Sequence, residues 1–216
     1  MKTLKHSIIH CLLFLAGMTS AYALAGEVTT APANQPADLV KKVFGDFSEA
    51  AMRDETLYSE NSQKLQELAD TILSPYFNFP RMTQIAMARY WSKADKNQRT
   101  ALIREFKLQL LRSYSKTLFS YRKSSPEITD TQILSDKRQI IKLRINSDKG
   151  ELIQLFIRFE KHGDNWQVVD VNVEGVSIVV VARGQFSETI AKSGIDGLIE
   201  SLQQENQQNE NRQATP

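Results

Sequence analysis

The hydrophobic period of this chain changes from helical to alternating near Ser124-Ser125, and no other feature limits the fold as much. Before it, apolar residues recur at helical spacing: Leu39, Val43, Phe47 and Ala50, then Leu65, Leu68, Ala69, Ile72 and Leu73. After it they alternate: Ile141, Leu143 and Ile145, then Ile153, Leu155, Ile157 and Phe159, then Val169, Val171 and Val173. A period near 3.6 buries one stripe of a helix, and a period of 2 buries one face of a sheet. Helices followed by strands imply an α+β fold, with helices on one face of a twisted antiparallel sheet.

Proline and polar caps punctuate the helical half. Pro36 opens the first helix, Pro75 closes the second after Leu73, and Pro80 opens a short third running through Met82 and Ile85 to Trp91. Asp95 is a fair N-cap for the fourth, Lys96 to Tyr121. Its apolar stripe carries Ile103, Phe106, Leu110, Tyr114, Thr117 and Tyr121; opposite lie Arg104, Arg112, Lys116, Arg122 and Lys123, with Lys107 at the edge. In the second half, turn clusters at residues 146–150 and 163–165 separate three strands, and a fourth is expected around Ile128 to Leu134. The run Val176 to Val181 is β-branched yet continues helically into Phe186 and Ile190, so its local pattern is ambiguous. Ile195 to Leu202 reads as a last short helix. From Gln203 the chain is almost all Gln, Asn and Glu, the composition of a disordered tail.

The first 25 residues do not read as part of a fold. Lys2, Lys5 and His6 precede an apolar run from Ile8 to Met18 and small residues fitting an A-x-A cleavage site, after Ala23 or Ala25. The run is shorter than the roughly 20 residues a membrane span needs. A cleaved export signal over residues 1–25 is therefore expected, followed by a flexible lead-in over 26–37, one domain over 38–202 and the tail over 203–216. Cleavage removes Cys11, the sole cysteine, and leaves His162 as the only histidine, in a turn cluster. Disulfides, a thiol nucleophile and a histidine-rich metal site are thereby excluded. No nucleophile elbow, P-loop or dinucleotide glycine pattern occurs. Asp170 and Glu174 could form an acid/base pair, but a solvated sheet face explains them more simply.

Losing two lysines from 27 basic residues balances the 25 acidic ones in the mature chain, which argues against nucleic acid as a partner. The balance is uneven along the chain. Arg81 to Lys123 holds eleven Lys and Arg against Asp95 and Glu105, whereas Asp38 to Ser74 carries eight acidic residues against four basic. The cationic back of the long helix, represented by Arg104, Arg112 and Lys116, is the expected docking surface.

Specific motifs sharpen this outline. Phe77-Asn78-Phe79-Pro80-Arg81-Met82 through Ala88-Arg89-Tyr90-Trp91, then Gln98 to Phe106, Leu110 to Tyr114, Trp166 to Ser177 and Gly194 to Leu198, together resemble the MlaC (toluene-tolerance) family, in the same order over Asp38 to Leu202. The chain departs from the pattern at Asn78 (commonly Asp), Ala88 (usually Gly) and Phe156-Ile157 (commonly Asp-Tyr), which makes the pocket mouth more apolar.

The resemblance implies a nuclear-transport-factor-like fold of about four strands enclosing an apolar cavity, with Val176 to Ser193 largely helical. It also implies a periplasmic, monomeric phospholipid carrier that is not an enzyme and needs no cofactor. Its partners would be the substrate-binding ring of an inner-membrane ABC transporter and an outer-membrane lipoprotein–porin complex, and its role the upkeep of outer-membrane lipid asymmetry. The candidate walls are Phe106, Leu110 and Tyr114 from the long helix and Ile141, Leu143, Ile153, Leu155, Ile157, Phe159, Val171 and Val173 from the sheet. Such a cavity should reach or exceed ~1,000 Å³, the upper end of ordinary ligand pockets. The alternatives are an enzyme of the nuclear-transport-factor-like kind, which needs a buried acid or base, and an adaptor that holds no lipid.

Overall fold

A computed structural model describes residues 35–146 and 150–214, with side chains through 208. The expected export signal, nearly all of the expected lead-in, part of the first turn cluster and the last two residues lie outside the described residues. Six helices and five strands follow in the order α1 (Pro36–Arg53), α2 (Glu55–Glu60), α3 (Ser62–Leu73), α4 (Phe79–Met87), α5 (Lys96–Ser120), β1 (Glu127–Ser135), β2 (Arg138–Asn146), β3 (Leu152–His162), β4 (Asn165–Val173), β5 (Val176–Ser177) and α6 (Ile178–Ala214). A 3₁₀ turn, Ala88–Lys93, links α4 to α5.

The helix starts follow local chemistry. Asp54 Oδ1 accepts from the Leu57 amide at 3.1 Å and Asn61 Oδ1 from the Lys64 amide at 3.0 Å, satisfying first-turn N–H groups that have no helical partner. The expected cap at Asp95 forms a full capping box with Gln98. Asn78 caps α4 through the Arg81 amide at 2.8 Å, while its Nδ2 donates to Gln167 Oε1 at 2.8 Å. Ala88 sits at φ 46°, ψ −122°, a conformation that strains any residue with a Cβ and accounts for Gly being usual there.

The strands form one antiparallel meander in the order β1-β2-β3-β4-β5, one strand more than the alternation predicts because β5 is only two residues long. Gly175 (φ 87°), after Glu174 (φ 50°), supplies the left-handed two-residue turn from β4 to β5. Cross-strand pairs Leu143–Leu155, Ile141–Ile157, Ile157–Val171 and Leu155–Val173 stack the apolar face in register. The alternation errs at Val169. A bulge leaves that residue without a pairing partner, and Val168 pairs with Phe159 instead.

Residues 76–78 dock on the same strand, with the Asn78 amide 2.9 Å from the Val168 carbonyl and the Val168 amide 2.8 Å from that of Tyr76. They seat α4 against the sheet. Asp170 is buried rather than solvated: it accepts from Ser177 Oγ at 2.8 Å and the Val179 amide at 3.3 Å, putting a carboxylate on the first turn of α6. Glu174 accepts from the Gln154 amide, so the two carboxylates serve different donors rather than each other.

α6 is broken at Gly194 (φ 74°, ψ −175°), at the boundary between the two helices the sequence predicts. Its second arm does not stop at Leu202, and Gln203 to Ala214 is helical where composition predicts a disordered tail. Burial of Asn206 explains the difference. Asn206 Nδ2 donates to the Glu105 carbonyl at 3.1 Å and to Glu105 Oε2 at 2.8 Å, and its Oδ1 accepts from Arg112 at 2.5 Å. Together with the bonds of Gln109 and Arg112 to Glu205, the buried Asn206 ties this polar arm to α5.

Candidate functional site

Three apolar clusters fill the interior, and they differ in how completely. Phe79, Met82, Met87, Leu102, Phe106, Phe186 and Leu198 form a cluster beneath α6, in which Phe106 meets Phe186 edge to face at 5.1 Å. The other two, over the sheet and between α1, α3 and α5, border an open cavity. α1 contributes Leu39, Val40, Val43, Phe44 and Phe47, and α3 contributes Ala69 and Leu73. Tyr76, Phe77, Phe79 and Met82 come from the segment docked on β4 and from α4. The second half of α5 lends Leu110, Leu111, Tyr114, Ser115, Thr117 and Leu118, with Tyr121 just beyond it. The sheet supplies Ile145, Ile153, Leu155, Ile157, Phe159, Val168, Val171 and Val173, and Ile178 starts α6.

About 180 Å³ of this space is open to the centre of a water-sized sphere, many times what one water needs. This is well short of the ~1,000 Å³ expected from the sequence.

Of the eleven wall residues expected from sequence, eight line the cavity: Leu110, Tyr114, Ile153, Leu155, Ile157, Phe159, Val171 and Val173. Three lie elsewhere. Phe106 lies one turn too early on α5 and packs into the cluster beneath α6. Ile141 and Leu143 are fully buried in the sheet-side core, outside the lining. The contribution of α1 was missed, although Leu39, Val43 and Phe47 were legible as its apolar stripe. Of the departing pair, only Ile157 lines the cavity; Phe156 faces away, with Lys142 Nζ 5.7 Å from its ring centre.

Chemically the walls are hydrocarbon with a few hydroxyls. The titratable lining groups are Tyr76, Tyr114 and Tyr121. Burial pushes the Tyr114 phenol above its ordinary value; for Tyr121, burial comes first and the carboxylates of Glu151 and Glu174 add to it. Both stay neutral far past physiological pH. Among the described residues no group of three His, Cys, Asp or Glu could hold a metal ion, and no helix is long and apolar enough to cross a membrane.

The cationic back of α5 is largely engaged within the fold. Arg104 pairs with Glu105 at 2.7 Å, and Arg112 reaches the Glu205 carbonyl and Asn206 on α6. Lys107 pairs with Asp70 at 2.6 Å, and Arg122 and Lys123 both meet Glu55. The basic and acidic stretches read along the sequence thus meet across α5, α2 and α3. Of the three expected docking residues, Arg112 is tied to α6 and Arg104 to its own neighbour, while Lys116 is exposed on the helix.

The fold and site define an α+β protein whose helices roof a sheet over an apolar interior that is only partly filled. Residues 41–204 match the family model described as MlaC protein, and the chain belongs to that family. It is 22% identical over 173 residues to the toluene tolerance protein ttg2D of Pseudomonas putida, spanning 80% of each chain. It is 23% identical over 168 residues to the intermembrane phospholipid transport system binding protein MlaC of Haemophilus influenzae, spanning 76% of each. A phospholipid-binding protein from Ralstonia solanacearum, solved in complex with a phospholipid, superposes with a TM-score of 0.73 at 31% identity, covering 79% of this chain and 96% of that one.

Proposed function

We propose that this chain is a periplasmic phospholipid carrier. It holds acyl chains in the cavity between the sheet and helices α1, α3 and α5, and passes lipid between an outer-membrane lipoprotein–porin complex and the ring of an inner-membrane ABC transporter. The observation that carries this reading is the hydrocarbon cavity, partly open to solvent and walled by α1, α3, α4, α5 and the sheet. The Ralstonia structure with its phospholipid supports it, as do the relatives and the family they share. The lining presents no carboxylate, imidazole or amine for acid/base chemistry, which favours a carrier over an enzyme.

The energetics set how such a carrier works. At ~0.8 kcal/mol per buried methylene, two acyl chains represent on the order of 20 kcal/mol relative to water. A bilayer supplies the same amount, so cavity and membrane are nearly isoenergetic for the chains. The protein acts by shielding them during transit.

Protein purified without detergent should release phospholipid on extraction with organic solvent, read by mass spectrometry. Lipid-free extracts from several preparations would overturn the reading. Leu155→Arg, which sets a charge on the wall, should abolish the retained lipid while leaving the protein folded.

A further inference from the structure

Several helical hydroxyls in this molecule settle on the carbonyl four residues back. Thr71, Thr83, Thr100, Thr189 and Ser193 all do so, at 2.8–3.0 Å. Ser115, in the middle of α5, is different. It is 2% exposed, its Oγ has no hydrogen-bond partner among the described residues, and it lines the cavity. A buried hydroxyl with neither protein nor solvent partner is costly to keep, and alanine would fill the same space without that cost.

The neighbours of Ser115 locate it. Tyr114 and Thr117, also on the lining, are exposed, whereas Leu111, one turn earlier, is buried in the core between α1, α3 and α5. Leu118 and Tyr121, the next lining residues on its own stripe, are half-buried and buried, so Ser115 lies on the dry wall beside its exposed edge. A glycerophospholipid has its ester carbonyls at the corresponding level, between a polar headgroup and hydrocarbon chains. Those carbonyls accept hydrogen bonds and cannot donate them, and a serine hydroxyl can donate.

We propose that the Ser115 hydroxyl is the polar anchor of the cavity, donating a hydrogen bond to an acyl ester carbonyl of the bound lipid and so setting the depth at which the chains sit. The proposal rests on the carrier reading above. It predicts discrimination between ester-linked and ether-linked lipids, because an ether-linked chain has no carbonyl at that point. The anchor acts on which lipid is held, and the hydrocarbon walls still supply most of the affinity.

The test loads the full protein from vesicles containing equal amounts of a diester phosphatidylglycerol and its diether analogue with the same chains. The two lipids recovered with the protein are then quantified by mass spectrometry. The unaltered protein should recover the diester in about two- to tenfold excess, the effect of one net hydrogen bond. Ser115→Ala should return the ratio to one while its thermal unfolding midpoint, measured lipid-free, stays the same or rises. Equal recovery by the unaltered protein overturns the anchor without any variant being needed, and so does an excess that survives Ser115→Ala. Recovery of neither lipid overturns the carrier reading, and the anchor with it.

Discussion

α5 serves two interiors. Its first half sends Leu102 and Phe106 into the cluster beneath α6, where the ring of Phe106 meets that of Phe186. Its second half sends Leu110, Leu111, Ser115 and Leu118 toward a space that the protein leaves open. Both surfaces are apolar and largely hidden from water. They differ in what stands opposite: α4 and α6 close on the first half, while the sheet stands back from the second. Burial alone thus does not separate a packed core from a binding cavity; the distance between facing walls does.

Truncation should expose the difference most strongly. Phe106→Ala opens a void in a filled core, and about 3–5 kcal/mol of stability should be lost in denaturant unfolding, with lipid content per folded molecule unchanged. Leu155→Ala enlarges a space that already exists, so it loses contacts on one side only and should cost under about 2 kcal/mol. Equal costs at the two positions would mean that the second interior is packed after all.

Enlargement reverses the ranking. Ala86 is fully buried in the filled cluster, and Ala86→Leu should overpack it at a cost of about 1–3 kcal/mol. Val171→Phe has room to enter. It should leave the lipid-free protein as stable as before or slightly more so, while lowering the lipid recovered after purification. A variant that lost stability and kept its lipid would place the free volume elsewhere.

These contrasts also mark where reading the sequence succeeds. Proline positions and caps are local chemistry, so Pro36, Pro80 and Asp95 mark the starts of α1, α4 and α5 to within a residue or two. Alternation reports which face of a strand is buried, and it selects Leu155, Ile157 and Val171 correctly. It fails at Val169 because a bulge shifts the period without changing composition. The same pattern includes Phe106, Ile141 and Leu143 among the walls, since periodicity identifies a hidden face and carries no information about the gap beyond it. α2 escapes because its six residues bury nothing and are ordered by the Asp54 cap. The helical arm beyond Gln203 escapes because what holds it is Asn206, one polar residue in a polar run.

Charge gives the mildest way to separate the two halves. Glu55 bridges elements: its carboxylate joins α2 to Arg122 and Lys123 just beyond α5, next to the cavity residue Tyr121. Hydrogen bonds from Arg122 and then Lys123 hold its pKa below the ordinary carboxylate value. A group whose folded pKa is depressed contributes stability above its unfolded pKa and loses it as pH falls through the folded one. The link is therefore intact at neutral pH and fails only in acid, below the usual carboxylate range. Glu188 is likewise lowered by Lys192, but that pair lies four residues apart on α6 and joins no two elements. Glu55 is partly open to solvent, so the effect is small and salt-sensitive. Hydrogen exchange followed down the pH scale, after correction for intrinsic rates, should show α2 and the end of α5 loosening before α4 and the first half of α5. Glu55→Gln should flatten that difference, and loosening that began beneath α6 instead would assign the acid-sensitive contacts to the filled interior.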